Sequence, residues 1–330
     1  MDLCLPGGRL NPAATGWSRH PLQRCNLQGP WGRQKRWDFW SVTSQECALS
    51  VTYASLDYLG FAAVSFNDFA SKRAYEHAML VPFAIGFRQP EQVGGAVLAF
   101  NALGLRVRID DRGNTVLIDA GIRRPGIPPV EAHAVITRPK GHETLNVVVP
   151  WSERRYQFTS KQNTLPATGE VRAGKQQFRF GPENQSFGCM DYGRGVWPYA
   201  TTWNWATASG ECGGHTVGLQ FGGQWTDGTG STENGICLDG RLHKISEDVC
   251  FDCDRRNFLK PWRIHSPGSD RVDLIFDPFI DRPLRAPLIV AGVDLHLCFG
   301  KFSGQVRLTD GKTLEVAGLI GTSEEMRARW

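Results

Sequence analysis

No stretch of this 330-residue chain approaches the roughly 18 consecutive apolar residues of a spanning helix, so no integral membrane segment is expected. Met1 to Gly8 lack both a basic n-region and an apolar h-region, so no signal peptide is expected and the expected location is cytoplasmic. A paired cysteine framework is also missing. The 9 cysteines are odd in number and scattered, which fits a reducing compartment. The single C-x-x-C, Cys250 to Cys253, lies in a β-patterned stretch where residues three apart point to opposite faces, so its two sulfurs cannot share one tetrahedral metal. There is no H-E-x-x-H, no G-x-S-x-G and no phosphate-loop signature, so neither a metal nor another cofactor is expected. A net charge of +4 is too small to indicate nucleic acid, and none is expected as a partner. Helical signals are scarce. Glu91 to Ala102 is interrupted by Gly94-Gly95, and Thr322 to Trp330, with a capping Thr and two glutamates, reads as one short terminal helix.

What is present is alternation. Val272, Leu274 and Phe276 form one apolar face while Asp273 and Asp277 look away. Tyr156 with Phe158, Phe178 with Phe180, Val217 with Leu219 and Phe221, and Leu145 with Val147, Val149 and Trp151 repeat the pattern. Such period-two spacing marks half-buried antiparallel strands. Asp239-Gly240 and Asp310-Gly311 supply tight hairpin turns between β-patterned flanks. About twenty short strands exceed one small barrel, so the expected fold is all-β with two antiparallel barrels or sandwiches. The loop-rich stretch Gly169 to Ser186 is the expected boundary, giving an N-terminal β-domain over residues 1–180 and a C-terminal one over 181–330. The first 35 residues, rich in Pro, Gly, Arg and Asn, read as an extended arm.

The densest candidate block runs from Phe187 to Asn234. Glycines there let backbone approach a ligand, and tryptophans give flat apolar walls with one donor each. On an unbulged strand Asp191 shares a face with Phe187 and Cys189 and points inward, so its carboxyl must be paired or protonated. Arg194 is the nearest partner in sequence. The pair reads either as a clamp fixing a corner between sheets or as a ligand-facing acid with its charge-setting neighbour. Trp203 and Trp205 share a face, as core or as pocket wall. Glu233 and Asn234 precede the Asp239-Gly240 hairpin, as a polar pair at a barrel mouth or as turn caps, with Tyr192 and Trp225 in the same block. Lys161 reads as an exposed lysine in a turn or as an anion or carbonyl contact. Asp227-Gly228-Thr229-Gly230 reads as a turn. The run Arg33 to Trp40, basic and aromatic, reads as a strand edge with solvated cations rather than a base-stacking surface.

Several of these segments together resemble the bacterial family called domain of unknown function 2804: Leu10-Asn11-Pro12, Lys35-Arg36-Trp37-Asp38-Phe39-Trp40, Thr159-Ser160-Lys161, Asp191-Tyr192-Gly193-Arg194-Gly195, Trp203-Asn204-Trp205 and Trp225-Thr226-Asp227-Gly228 with Thr232-Glu233-Asn234. The similarity runs from about residue 8 to the C-terminus. Gln220 stands where that resemblance leads one to expect Asn. More distantly, the Gly- and Trp-rich middle is similar to the carotenoid hydratase and Diels–Alderase-type superfamily, which implies two calycin-like (lipocalin-like) barrels and an apolar small-molecule ligand. The expected function is then a cofactor-independent enzyme hydrating, isomerising or cyclising a lipid- or terpenoid-like molecule. Asp191 would be the acid, Arg194 and Glu233 its polar partners, and Trp203 and Trp205 the shield for a cationic intermediate. A hydrophobic-ligand-binding protein without turnover and a carbohydrate-active enzyme remain alternatives, the last needing Asp191 and Glu233 about 5–10 Å apart.

Overall fold

A computed structural model describes residues 1–287 and 292–330 of the chain. Alternating side chains and Asp-Gly turns produce the expected result: two curled antiparallel sheets, each a half-barrel of the calycin-like kind. Among the described residues the first sheet has thirteen strands and the second nine. The centre of the first runs Cys47–Ser55, Gln34–Thr43, Phe187–Val196, Arg155–Ala173, Val130–Thr137. The second runs from Arg241–Ile245 through Asn234–Leu238, His215–Gly223, Ala200–Cys212, Thr313–Arg329 and Gly292–Arg307 to Val272–Pro287 and two short strands. Asp239 and Gly240 both have positive φ, 49° and 78°, as the tight turn between Asn234–Leu238 and Arg241–Ile245 requires.

Each sheet has its own core, the first around Trp40, Phe66, Tyr156 and Phe158, the second around Phe221, Trp262, Phe276 and Phe302. The N-terminal arm closes over the first core by burying Leu3, Cys4 and Cys25, and its strand Gly16–Ser18 pairs with Leu145–Ser152. Between the sheets lies a third cluster, in which Trp197 and Trp225 are buried against Trp37, Trp151, Trp203 and Trp330. No helix of the described residues is long and apolar enough to cross a membrane.

Two local expectations are corrected. Thr322 to Trp330 is not a helix: Thr313–Arg329 is a strand hydrogen-bonded on one side to Ala200–Cys212 and on the other to Gly292–Arg307, and two ladders override the local cap signal. Past the Gly94-Gly95 interruption, Val97–Ala102 is a strand paired with Leu105–Asp111. The Arg33 to Trp40 segment is not a sheet edge. Gln34–Thr43 is paired on both sides, and Lys35 is fully buried, donating to the carbonyls of Gly32 and Leu56. The sheets exchange between Val196 and Ala200, whereas the loop-rich stretch Gly169 to Ser186 lies within the first sheet.

Candidate functional site

Strands Arg155–Ala173 and Phe187–Val196 run side by side, and their register sets Lys161 directly opposite Asp191. On its other side Asp191 faces Phe39. Partners in register share a face, so Phe39, Asp191 and Lys161 form a row on the side of the first sheet that the second sheet covers. Lys161 Nζ lies 2.9 Å from Asp191 Oδ2 and 3.2 Å from Glu233 Oε2, the latter contributed by the second sheet just before Asn234–Leu238. It also sits 4.6 Å from the ring centre of Trp205. The site therefore bridges the two sheets: one ammonium, two carboxylates and an indole face.

The surrounding shell is built by close backbone approach. Glu233 Oε1 accepts from Trp225 Nε1 at 2.8 Å. Its carboxylate fits there because residue 222 is glycine; a Cβ at that point would sit 2.0 Å from Glu233 Oε1. Gly193 similarly leaves room for Trp37, whose ring atoms would lie 2.1 Å from a Cβ. Asp191 Oδ1 accepts from Thr159 Oγ1 at 3.3 Å. Trp205 Nε1 donates to Gln220 Oε1 at 3.1 Å, and Gln220 Nε2 to the Glu233 carbonyl at 3.4 Å, so the residue departing from the family pattern does make a polar contact here. A third carboxyl, Glu324 of Thr313–Arg329, sits opposite Trp205 in register and accepts from Trp203 Nε1 at 2.8 Å.

Electrostatics follow from two carboxyls on one amine, with a third carboxyl, Glu324, beyond ion-pair distance of that amine but within its electrostatic reach. Burial opposes the charge of Lys161, but Asp191 and Glu233 outweigh it and hold the ammonium above the usual lysine range. Burial pushes the Glu233 carboxyl up while Lys161 pulls it back. Glu324 is driven to about 7, chiefly by burial, with Asp191 and Glu233 adding to the rise and the Trp203 hydrogen bond and Lys161 opposing it.

The structure thus gathers Asp191, Glu233, Lys161, Trp203, Trp205 and Trp225, and leaves out Arg194, Tyr192 and Asn234. Arg194 is not the partner of Asp191. Three positions along one strand put it on the opposite face, where its guanidinium donates to Asp38 Oδ2 at 2.8 Å and to the carbonyls of Trp37 and Gly193. It lies over the ring of Tyr192, itself fully buried with its hydroxyl 3.3 Å from the Pro90 carbonyl. This is a structural clamp inside the first core. Asn234 adjoins Glu233 but points away, ties Gly222 N to the Glu247 carbonyl and serves the backbone. Lys161 is no exposed turn residue: its side chain is 6% accessible. Glu324 escaped the sequence reading because its segment carried a helix signal; strand parity there would have aligned it with Thr322 and Met326. Among the described residues no group of three or more His, Cys, Asp or Glu is placed to hold a metal.

Two open clefts lie elsewhere. One, of about 910 Å³, lies along the seam between the sheets and is lined by Phe69, Phe178, Phe279 and Leu319 with Lys72 and Lys301. The other, of about 350 Å³, lies under the N-terminal arm beside Gly8 and Arg154. The carboxylate cluster meets solvent at Asp191, whose side chain is 16% accessible, and at the half-buried Glu324.

The chain belongs to the DUF2804 family, a domain of unknown function, which it matches over residues 1–330. No curated protein matches it in sequence. Among solved structures its fold is similar to that of CghA, with 13% identity and a TM-score of 0.51 over 90% of this chain and 87% of that one. It is similar also to kievitone hydratase from Nectria haematococca, with 8% identity and a TM-score of 0.52 over 90% and 88%. A candidate AttH protein from Nitrosomonas europaea shares the fold over 98% of both chains, at 12% identity and a TM-score of 0.51.

Proposed function

We propose that this protein is an enzyme without a cofactor that moves a proton on a hydrophobic, lipid- or terpenoid-like molecule, hydrating, isomerising or cyclising it. The observation that carries this reading is the placement of Lys161 between Asp191 and Glu233 at the junction of the two sheets, against indole faces. Carboxyls crowded in a dry site are pushed apart in proton affinity, which general acid–base chemistry needs. The electron-rich faces of Trp203 and Trp205 suit a carbocation formed beside them. Asp191, which reaches solvent, is a carboxyl that meets the substrate, Lys161 pairs with it, and Glu233 anchors Lys161 from the second sheet. Arg194 has no part in the chemistry. A protein of the same fold is named as a hydratase, a reaction within this range.

The test is incubation of the purified protein with a panel of terpenoid alcohols, polyenes and unsaturated fatty acids, read by liquid chromatography and mass spectrometry. New products from the wild type, lost in Asp191→Asn at unchanged fold, support the reading. Undiminished turnover by Asp191→Asn removes Asp191 from the mechanism. A second reading, a ligand-binding protein without turnover, draws on the 910 Å³ cleft, whose phenylalanines lie apart from Asp191 and Glu233, with Glu46, Asp68 and Glu211 on the same lining. It requires a melting shift by a fatty acid that Phe279→Asp abolishes and Asp191→Asn leaves intact, with no product formed.

A further inference from the structure

We propose that Glu324 is the residue that holds the transferable proton of this site and delivers it to the substrate as a neutral carboxylic acid. The proposal rests on the reading above and assigns its acid.

Charge arrangement comes first. Trp203 from the adjacent strand touches the Glu324 carboxyl and Trp205 stands opposite it in register, while Lys161 and Asp191 of the first sheet and Glu233 of the segment entering Asn234–Leu238 act on it electrostatically from further off. Lys161 is the one cation among them, and it is engaged twice, by Asp191 and by Glu233. Glu233 is 1% exposed, and its Oε2 has no hydrogen bond, only the ion contact with that ammonium. A negative charge on Glu324 would be the third around a lysine already shared by two carboxylates. The neutral acid avoids it, which accords with the value of about 7.

Hydrogen bonding then fixes which oxygen carries the proton. An indole N–H only donates, so Trp203 Nε1 marks Glu324 Oε1 as an acceptor. Oε2, with no hydrogen-bond partner among the described residues, is where the acid's O–H sits. In the step itself, the O–H bond of Glu324 breaks as an alkene π pair forms the new C–H bond. This leaves a carbocation beside the indoles and a carboxylate at Glu324. Attack of water forms the C–O bond as one of its protons passes to Asp191; loss of a neighbouring C–H proton to Asp191, its electron pair closing the new double bond, instead gives the isomer. Asp191 then releases that proton to solvent, and solvent re-protonates Glu324.

The experiment is pH-difference infrared spectroscopy of the substrate-free protein, following the C=O stretch of protonated carboxylic acids, on wild type, Glu324→Gln, Asp191→Asn and Glu233→Gln. The expected result is a protonated-acid band in the wild type that vanishes on raising the pH through about 7, absent in Glu324→Gln and retained in Asp191→Asn. Circular dichroism confirms that each variant is folded, and Glu324→Asp, which keeps the acid, should restore a titrating band. A band that survives Glu324→Gln, or that disappears with Asp191→Asn, or the lack of any carboxyl titrating near neutrality, overturns the assignment. Because no substrate enters this measurement, its failure is separable from failure of the enzymatic reading. With a substrate found, the alkaline limb of kcat/KM should reflect the same group.

Discussion

Lys161 and Asp191 face each other across neighbouring antiparallel strands of the first sheet with their charged atoms 2.9 Å apart, and the same ammonium reaches 3.2 Å to Glu233 of the second sheet. One lysine thereby ties two half-barrels together and sets the charge of their shared polar site.

Removing that lysine should be costly. Lys161→Met leaves two carboxylates facing each other in a poorly solvated space, and breaking one side of a buried ion pair costs about 3–5 kcal/mol. Urea unfolding of Lys161→Met should show a loss of that order, and adding Glu233→Gln should recover part of it. A loss below about 1 kcal/mol, the range of surface pairs, would mean that the site is solvated.

The pairing itself can be measured. A double-mutant cycle of Asp191→Asn with Lys161→Met should give a coupling above about 0.5 kcal/mol, whereas Asp191→Asn with Arg194→Met should add within that figure, because those two side chains lie on opposite faces. Arg194→Met should still be strongly destabilising, since it strands Asp38 inside the first core.

Gly222→Ala probes the close approach of backbone to Glu233, where a Cβ would fall 2.0 Å from Oε1. Overpacking of this kind costs roughly 1–3 kcal/mol. It should also disturb the Trp225 to Glu233 hydrogen bond, so the emission of Trp225 should shift along with the melting temperature.

Stability should depend on pH through Glu324. Its folded value of about 7 stands above the ordinary 4.5, so the folded state holds the proton more tightly than the unfolded chain. The stabilising contribution is complete below 4.5 and is lost as pH rises through about 7. The difference corresponds to at most about 3 kcal/mol at 1.36 kcal/mol per pKa unit. Between pH 5 and 8 the wild type should therefore lose stability that Glu324→Gln does not lose, as guanidinium melts across that range would show.

Much of the fold could be read from alternation and turns, because a half-buried strand writes its period directly into the sequence. The terminal segment could not: Thr322, Glu324 and Glu325 look like a helix start, and only pairing with strands far away in sequence makes it a strand. Half of the cluster was legible. Glycines, tryptophans and Asp191 marked the block that supplies most of its members, but a contact between sheets leaves no local trace. Lys161 read locally as a turn lysine, whereas Arg155–Ala173 runs on through it as a strand and the second sheet covers the face that carries Thr159 and Lys161. The Asp191 and Arg194 pairing fails by parity: neighbours three apart on a strand do not meet.

The central claim is that this junction of carboxyls and lysine transfers protons to a hydrophobic substrate. Incubation of the protein with the terpenoid and fatty-acid panel in D2O, followed by mass spectrometry, tests it directly, because hydration, and isomerisation or cyclisation begun by protonation of an alkene, place a solvent-exchangeable proton on carbon. The account predicts deuterium incorporation by the wild type into at least one compound, lost in both Asp191→Asn and Glu324→Gln and retained in Arg263→Ala, a change on the solvent-exposed side of the second sheet. Equal incorporation by wild type and Asp191→Asn, or none above the protein-free control across the panel, would contradict it.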